Sequence, residues 1–390
     1  MKKFSMTLAI GLLLGLAVIS TGVRARLMGP RTTAHASYPL NPPHLTFSTQ
    51  AGSAVLEVKG GRRLFQHHQD VERPIASVTK MMTANMVLTH PHLYPPRALV
   101  TITAAEVANY ERGLQKGDSE VPIYSGEKVS VQDLLWALML PSADDAAWIL
   151  ADHYPGGSKA FIRAMNRRAR KFSMDHTHYV DPDGVNHLGY STASDLMRLT
   201  KQDMALSSFR RLVETKTMHT KFGTLTNLNR LLWTYRGATG IKTGWTPWAG
   251  TCLAFSASRR DLTLYGVVLG EPSVSLAPMF QDVTKLLNRG FQDVPWRTPV
   301  DAGAVVGEMT LRRGWLLSTR TVPLVLKRSL GAYALTNDAH LEVYWRAHVG
   351  EALQAGQVVG EARLKAGSYT SRWSPVVAST TVTVRWWERL

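Results

Sequence analysis

An α/β (α+β) domain followed by a small all-β domain is the fold class this sequence predicts, on three features. Residues 52–66 read as a hairpin, with Ser53-Ala-Val-Leu-Glu-Val58 and Arg63-Leu-Phe-Gln66 on either side of Lys59-Gly-Gly61. From residue 77 to residue 291, helical patterns alternate with apolar strand-like runs. Beyond Pro295 and Pro299 the pattern changes to short β-rich runs parted by Gly or Ser, at Val305-Val306, 322–326, Val358-Val359 and 376–386.

In chain order, Lys2 and Lys3 precede an uncharged run at 8–19, the form of an export signal. Ala34-His35-Ala36 fits a small-x-small cleavage site that would free Ser37. It lies far past the apolar run, with Arg24, Arg26 and Arg31 between, so an uncleaved anchor is the other reading. Either way the working domains are expected to be exported and extracytoplasmic, associated with the cell envelope or secreted. Residues 1–36 are assigned to a signal peptide or signal anchor, 37–50 (rich in Pro, Ser and Thr) to a lead-in linker, 51–294 to the first domain and 300–390 to the second.

Within the first domain a helix is expected over 77–88, stopping before His90-Pro91. Ser130-Val-Gln-Asp133 has the form of a capping box, with Asp in the Glu/Gln place, and opens an apolar helix through Leu140 that Pro141 interrupts. Further helices are expected over 144–153 and 159–172, from the Thr192-Ala-Ser-Asp195 cap to Met204, and over 283–291. Asp181-Pro-Asp-Gly184 is a turn, and 249–258 and 262–269 are two strands joined by a short polar turn.

The 390 residues are 45% apolar and 19% charged, which excludes a mostly disordered chain. Lys plus Arg number 45 against 29 Asp plus Glu, a formal net charge of +16 that attracts anionic partners. Anionic cell-envelope polymers, lipids and carboxylate-bearing substrates fit that charge. Nucleic acid is not expected, because no dense basic block is interleaved with aromatics and the 163–171 stretch reads as the solvated face of a helix. The one cysteine, Cys252, excludes a disulfide framework or a thiolate metal cluster within one chain and reads as a packed core residue. No later apolar run is long enough to span a bilayer, so membrane contact is expected only through the N-terminal segment, if uncleaved.

Three short segments carry the chemistry. Ser77-Val-Thr-Lys80 puts a hydroxyl and an amine on one helical face. A serine hydroxyl needs a base to become a nucleophile, and a desolvated lysine can be that base. Alone the signal is weak, since about one chance Ser-x-x-Lys is expected in such a chain, and Ser125-Gly-Glu-Lys128 supplies it. Lys242-Thr-Gly244 is sharper, with about 0.1 chance matches expected. It stands at a strand edge, where Lys242 and Thr243 can face a carboxylate and Gly244 lets a substrate backbone approach. Ser142-Ala-Asp144 lies in a short interhelical loop, a place to present a polar side chain, though taken alone it reads as a helix cap.

Taken together, the three segments resemble the S-x-x-K, S-x-N and K-T-G elements of the penicillin-recognising serine enzymes. The wider match is to the exported D-alanyl-D-alanine carboxypeptidases, the low-molecular-mass penicillin-binding proteins. Arg73-Pro-Ile-Ala-Ser-Val-Thr-Lys-Met-Met-Thr83, Leu140-Pro-Ser-Ala-Asp-Asp-Ala146 and Gly240-Ile-Lys-Thr-Gly-Trp-Thr246 are similar to the family's three segments. Gly356-Gln-Val-Val-Gly360 and Trp386-Trp387-Glu-Arg-Leu390 are similar to its β-rich C-terminal domain. The resemblance covers roughly residues 50–390. It implies the β-lactamase/transpeptidase fold, a sheet with helices and an all-helical subdomain. It also implies acyl transfer on peptidoglycan stem peptides without metal or other cofactor, and covalent binding of β-lactams. Ser77 would be the nucleophile, Lys80 the general base and Ser142 the relay to the leaving D-alanine. Lys242, Thr243, Gly244 and Asp144 would bind substrate, and the backbone N–H groups of Ser77 and Trp245 would form the oxyanion hole.

Two departures stand out. The third residue of the second motif is Asp144 where the family usually has Asn, and an ionised Asp only accepts hydrogen bonds. A carboxylate there favours protonated lysines. Asp144 is either tolerated, protonated or turned away, or it slows the enzyme, or turnover is lost and binding kept; retained activity is the expectation, because both lysines and both serines are present. Family members also often carry a basic residue soon after the strand ending near Leu269, and residues 271–284 hold no Lys or Arg, which leaves carboxylate recognition to Lys242 and Thr243. A catalytically weak penicillin-binding protein that acts as a stem-peptide binding module is the alternative function, and a β-lactamase a third, for which no deacylating base is recognisable. His176, His178, Asp181, Asp183 and His187 crowd one stretch without a helical His pair, and a loop rather than a metal site is expected there. Trp245 and Trp248 flank the third motif and either line a cleft or pack.

Overall fold

The computed structural model describes residues 32–39, 45–60, 62–294, 296–313, 318–333, 338–345, 352–367 and 369–382. Residues 1–31 of the expected export segment (1–36) and the closing Trp386–Leu390 run lie outside the described residues. A five-stranded antiparallel sheet runs in the order Arg63–His67, Ser53–Val58, Leu262–Glu271, Gly250–Arg259, Ala238–Thr246. The strand with the Lys-Thr-Gly motif is therefore an edge, free on one side to meet another backbone.

Strand periodicity divides the core in two. Val55, Val267 and Leu269 point into a core shared with the helices, while Ala54, Leu56 and Val268 point the other way. The first core packs α1 (Lys80–Leu88), α3 (Val131–Met139), α4 (Asp144–Asp152), α5 (Gly157–Lys171), α6 (Ala193–Ala205) and α7 (Ser207–Glu214), with α2 (Ala104–Lys116) on its flank. Short α8 (Leu231–Thr234) and long α9 (Leu276–Asp293) cover the opposite face.

The local signals behave as their chemistry requires. Ser130 and Thr192 cap α3 and α6, their hydroxyls accepting the Asp133 and Asp195 N–H groups at 3.0 Å. The sequence reading starts α9 at 283, but the structure starts it at Leu276. Ser275 accepts the Ala277 N–H at 3.2 Å and Pro278 falls in the first turn, where a missing N–H costs no helical bond. Helix α2 escaped the sequence reading, although Thr103 and Glu106 form a full capping box and Gly117 closes it at φ 77°.

The β-rich C-terminal part forms a seven-stranded sheet in the order Thr32–Pro39, Asp338–Trp345, Val358–Ala366, Ser374–Ala378, Ser318–Leu326, Val305–Arg313, with Tyr369–Thr370 beside Val358–Ala366. The end of the expected signal segment (32–36) and the start of the expected lead-in (37–39) are thus strand: Thr32–Pro39 pairs antiparallel with Asp338–Trp345. Among the described residues, no helix is long and apolar enough to cross a membrane.

Candidate active site

Ser77 lies on a single 3-10 turn, Ala76–Thr79, that runs directly into α1. The helix expected from Ser77 therefore begins at Lys80, and the serine sits on the tighter turn ahead of it. Ala76 has φ 47°, a left-handed conformation that costs a non-glycine residue of order 1 kcal/mol and is typically kept at functional sites. Two glycines allow the chain to close around this turn. Gly184 has φ 89°, and a Cβ there would fall 1.9 Å from the Ala76 carbonyl oxygen. A Cβ on Gly244 would fall 3.0 Å from Ser77 N and 3.1 Å from Val78 N, so the edge strand lies directly against the serine backbone.

Lys80 is fully buried. Its Nζ donates to Asp144 Oδ1 at 2.5 Å, to Ser77 Oγ at 2.9 Å and to the Asp183 carbonyl at 3.0 Å. Asp144, the first residue of α4, accepts the Ser119 N–H on Oδ2 at 3.0 Å and gives its own N–H to the Ser119 carbonyl at 2.6 Å. Both carboxylate oxygens are engaged, so the reading of Asp144 as turned away from the lysine does not describe this site. Ser142 sits between α3 and α4 at φ 70°, buried, and its Oγ has no hydrogen-bond partner. Lys242 is buried on the edge strand, its Nζ donating to the Thr243 carbonyl at 3.1 Å. The structure thus brings Ser77, Lys80, Asp144 and Gly244 into one constellation.

A profile of the D-alanyl-D-alanine carboxypeptidase family, peptidase family S11, matches residues 39–273. The chain belongs to that family. A D-alanyl-D-alanine carboxypeptidase of Streptomyces sp. (strain K15) is 38% identical over 248 residues, covering 59% of this chain and 83% of its own. D-alanyl-D-alanine carboxypeptidase DacF of Bacillus subtilis (strain 168) is 26% identical over 388 residues, covering 97% and 94%. The crystal structure of the Streptomyces K15 DD-transpeptidase matches 63% of this chain and 99% of that one, with 37% identity and a TM-score of 0.59. At 20% identity, D-alanyl-D-alanine carboxypeptidase DacD from Francisella tularensis shares the fold over 90% of this chain and 98% of its own, with a TM-score of 0.60.

Electrostatics in this carboxypeptidase-family site follow from burial. Desolvation lowers the Lys242 amine well below the ordinary lysine range, and the neighbouring Lys80 charge lowers it further against the pull of Asp144. Desolvation also raises Asp144, with the Lys80 charge opposing it. Beside Asp144 opens a cavity of about 450 Å³, lined by Tyr110, Glu120, Asp145, Trp148 and Asp183 among others. Burial raises the Glu120, Asp145 and Asp183 carboxyls as well.

The remaining candidates take separate places. Trp245 and Trp248 are both exposed; Trp245 Nε1 donates to the Ser273 carbonyl at 3.2 Å, and Trp248 stacks on His187 with centroids 4.8 Å apart. His176 faces Glu72 at 3.1 Å, and the Asp181 carboxylate accepts the Gly184 and Asn186 N–H groups. Among the described residues no three His, Cys, Asp or Glu side chains group as a metal site. Cys252 is buried in the core. The sequence reading missed three partners of the site. Ser119 and Asp183 serve Asp144 and Lys80 through backbone atoms, which leave no residue-type signal. Trp148 donates its indole N–H to Asp183 Oδ2 at 2.6 Å, a link only the fold creates.

Proposed function

We propose that this chain is a serine-type D-Ala-D-Ala carboxypeptidase that removes the terminal D-alanine from peptidoglycan stem peptides through acyl-Ser77. The observation that carries the reading is one buried amine, Lys80 Nζ, held 2.9 Å from Ser77 Oγ beside the Lys242-Thr-Gly244 edge strand. Ser77 Oγ attacks the carbonyl of the penultimate D-alanine, and Lys80 receives its proton. All three Lys80 N–H groups have acceptors, so one proton must leave before that of Ser77 can arrive. The Ser77 and Trp245 backbone N–H groups stabilise the oxyanion. Lys242 and Thr243 hold the terminal carboxylate, and Gly244 keeps the strand close enough for it to reach them. The unpartnered Ser142 hydroxyl relays the proton, giving its own to the nitrogen of the departing D-alanine as it takes up the one Lys80 received from Ser77. Asp144 acts as counter-ion to Lys80, which its Oδ1 accepts, while its Oδ2 accepts the Ser119 N–H. Water then hydrolyses the acyl-serine, and a β-lactam acylates the same oxygen.

The catalytic unit spans 51–294 and the β-rich unit 300–390, with export through residues 1–36. The net charge of +16 suits attachment to anionic envelope polymers, with membrane contact through the N-terminal segment where it is retained.

Incubating the purified protein with diacetyl-Lys-D-Ala-D-Ala and measuring free D-alanine, with Ser77→Ala alongside, tests the function. Release that disappears in the variant is the expected result. The Lys80–Asp144 contact favours one competing reading, a weak enzyme that mainly binds. Penicillin labelling of Ser77 without D-alanine release would establish it instead. Rapid turnover of the penicilloyl adduct would point to a β-lactamase.

A further inference from the structure

Asp144 and Trp148 stand four residues apart on α4 and therefore share one helix face. Asp144 reaches Lys80 directly. Trp148 reaches it in two steps, because the residue whose carboxylate accepts the indole N–H at 2.6 Å is the one whose backbone carbonyl accepts Lys80 Nζ at 3.0 Å. We infer that Trp148 is a positioning residue for Lys80, acting through Asp183. This rests on the acyl-serine reading above.

The turn that carries Asp183 makes the connection stiff. Asp181 accepts the Gly184 and Asn186 N–H groups at 2.8 and 2.7 Å, and Asp183 Oδ1 accepts the Val185 N–H at 3.1 Å. Besides Lys80 itself, two side chains outside the turn hold it: Thr83 of α1 donates to the Pro182 carbonyl at 2.6 Å, and Trp148 of α4 to Asp183. Thr83 comes from the helix that begins with Lys80, so it ties the turn to the amine's own element. Trp148 ties it to the element that supplies Asp144. Two of the three acceptors around the amine, the Asp144 carboxylate and the Asp183 carbonyl, are thus referred to one face of α4, and the third direction of Nζ is left on Ser77 Oγ. Without the indole N–H, the buried Asp183 side chain loses its outside donor, and its carbonyl is free to swing from the amine. A displacement of this kind, transmitted to a proton-transfer group, is worth about a tenfold loss in rate.

The test compares wild type, Trp148→Phe, Asp183→Asn, Asp183→Ala, the Trp148→Phe/Asp183→Ala double variant and Ser77→Ala. The rate constant for penicillin acylation of Ser77 is read beside kcat and KM for D-alanine release, with a thermal melt of each protein. Phenylalanine keeps a six-membered aromatic ring and loses the pyrrole ring with its N–H donor, so Trp148→Phe is expected to acylate about tenfold more slowly with KM within about twofold of wild type, the melt reporting what the smaller ring costs in packing. Asparagine keeps an acceptor for the indole, so Asp183→Asn should recover most of what Asp183→Ala loses. The double variant should be no slower than Asp183→Ala alone, because both changes cut one connection. Wild-type acylation in Trp148→Phe, a loss carried wholly by KM, equal losses in the two Asp183 variants, or losses that multiply in the double variant would each overturn the inference. If Trp148→Phe does not fold, the two Asp183 variants decide alone. Failure of wild type to label at Ser77 would instead sink the acyl-serine reading, and this inference with it.

Discussion

Asp144 Oδ1 lies 2.5 Å from Lys80 Nζ, in the place where the family usually presents an asparagine amide. Its surroundings suit a carboxylate: both neighbours of the side chain, the Lys80 amine and the Ser119 N–H, are donors. An asparagine could accept from only one of them and would turn its own N–H groups toward the other.

Replacing Asp144 with Asn is therefore expected to separate stability from chemistry. The buried lysine loses its counter-ion, which should cost on the order of 1–3 kcal/mol of unfolding free energy. The same loss removes the charge that opposes departure of the Lys80 proton, so penicillin acylation of Ser77 should be preserved or increased. Denaturant melts and stopped-flow acylation measure the two effects on one preparation. A large fall in the acylation rate would show that the reaction uses the Asp144 carboxylate and does not merely accommodate it.

Gly244→Ala probes the approach of the edge strand to Ser77, the proposed nucleophile. The added Cβ would meet Ser77 N at 3.0 Å, Ala76 Cβ at 3.1 Å and Val78 N at 3.1 Å, contacts with a backbone that has little room to yield. The strand must shift outward by a few tenths of an ångström, carrying the Trp245 N–H with it. Acylation should slow by roughly 10- to 100-fold, while the melting temperature changes little. Acylation at the wild-type rate would remove the strand contact from the account of the oxyanion site.

Lys242 supplies a prediction about protons. Burial and the Lys80 charge depress its amine, so it gives up its proton more readily than an ordinary lysine. On the proposed reading a substrate carboxylate arrives beside it, an opposite charge that raises the amine again, so binding should take up protons. Titration calorimetry of Ser77→Ala with the stem-peptide analogue, in buffers of differing ionisation enthalpy at pH 8, reads this directly. Proton uptake that persists unchanged in Lys242→Met would assign it elsewhere.

Much of the site was legible because its parts are local. Ser77 and Lys80 are three residues apart, and Lys242-Thr-Gly244 lies within one strand, so each segment is readable by residue type and spacing, weak alone and specific when the three are taken together. The hairpin at Ser53–Val58 and Arg63–His67 was visible in its Gly-Gly turn for the same reason. The misses have a different origin. Asp183 and Ser119 act through backbone atoms that any residue possesses, and Trp148 meets Asp183 only because a turn 35 residues away folds over α4. Helix α2 did carry readable signals, the Thr103–Glu106 box and the closing Gly117, but its exposed surface has too few apolar residues to announce a buried face. Pro278 hid the start of α9 because a first-turn proline and a helix-breaking one look alike until the cap is known.

The carboxyls behind the site predict how stability responds to pH. Glu120 Oε2 accepts the Asp145 N–H at 2.9 Å, and the two side chains sit at the start of α4. Burial, then the charge of Asp145, raises Glu120 to about 9, and burial raises Asp145 to about 7. Both folded-state values lie above the ordinary carboxyl range. Between that range and about pH 9 the folded protein holds protons that the unfolded chain has already released. Stability must then fall as pH rises through this window and level off beyond it. Glu120→Gln keeps an acceptor for the Asp145 N–H and removes one of the two titrating groups. The variant should melt roughly 2–4 °C higher than wild type at pH 8.5 and at the same temperature at pH 4. An equal or lower melting temperature at pH 8.5 would mean that the Glu120 carboxylate is compensated in the folded state, and that the alkaline loss of stability comes from elsewhere in the chain.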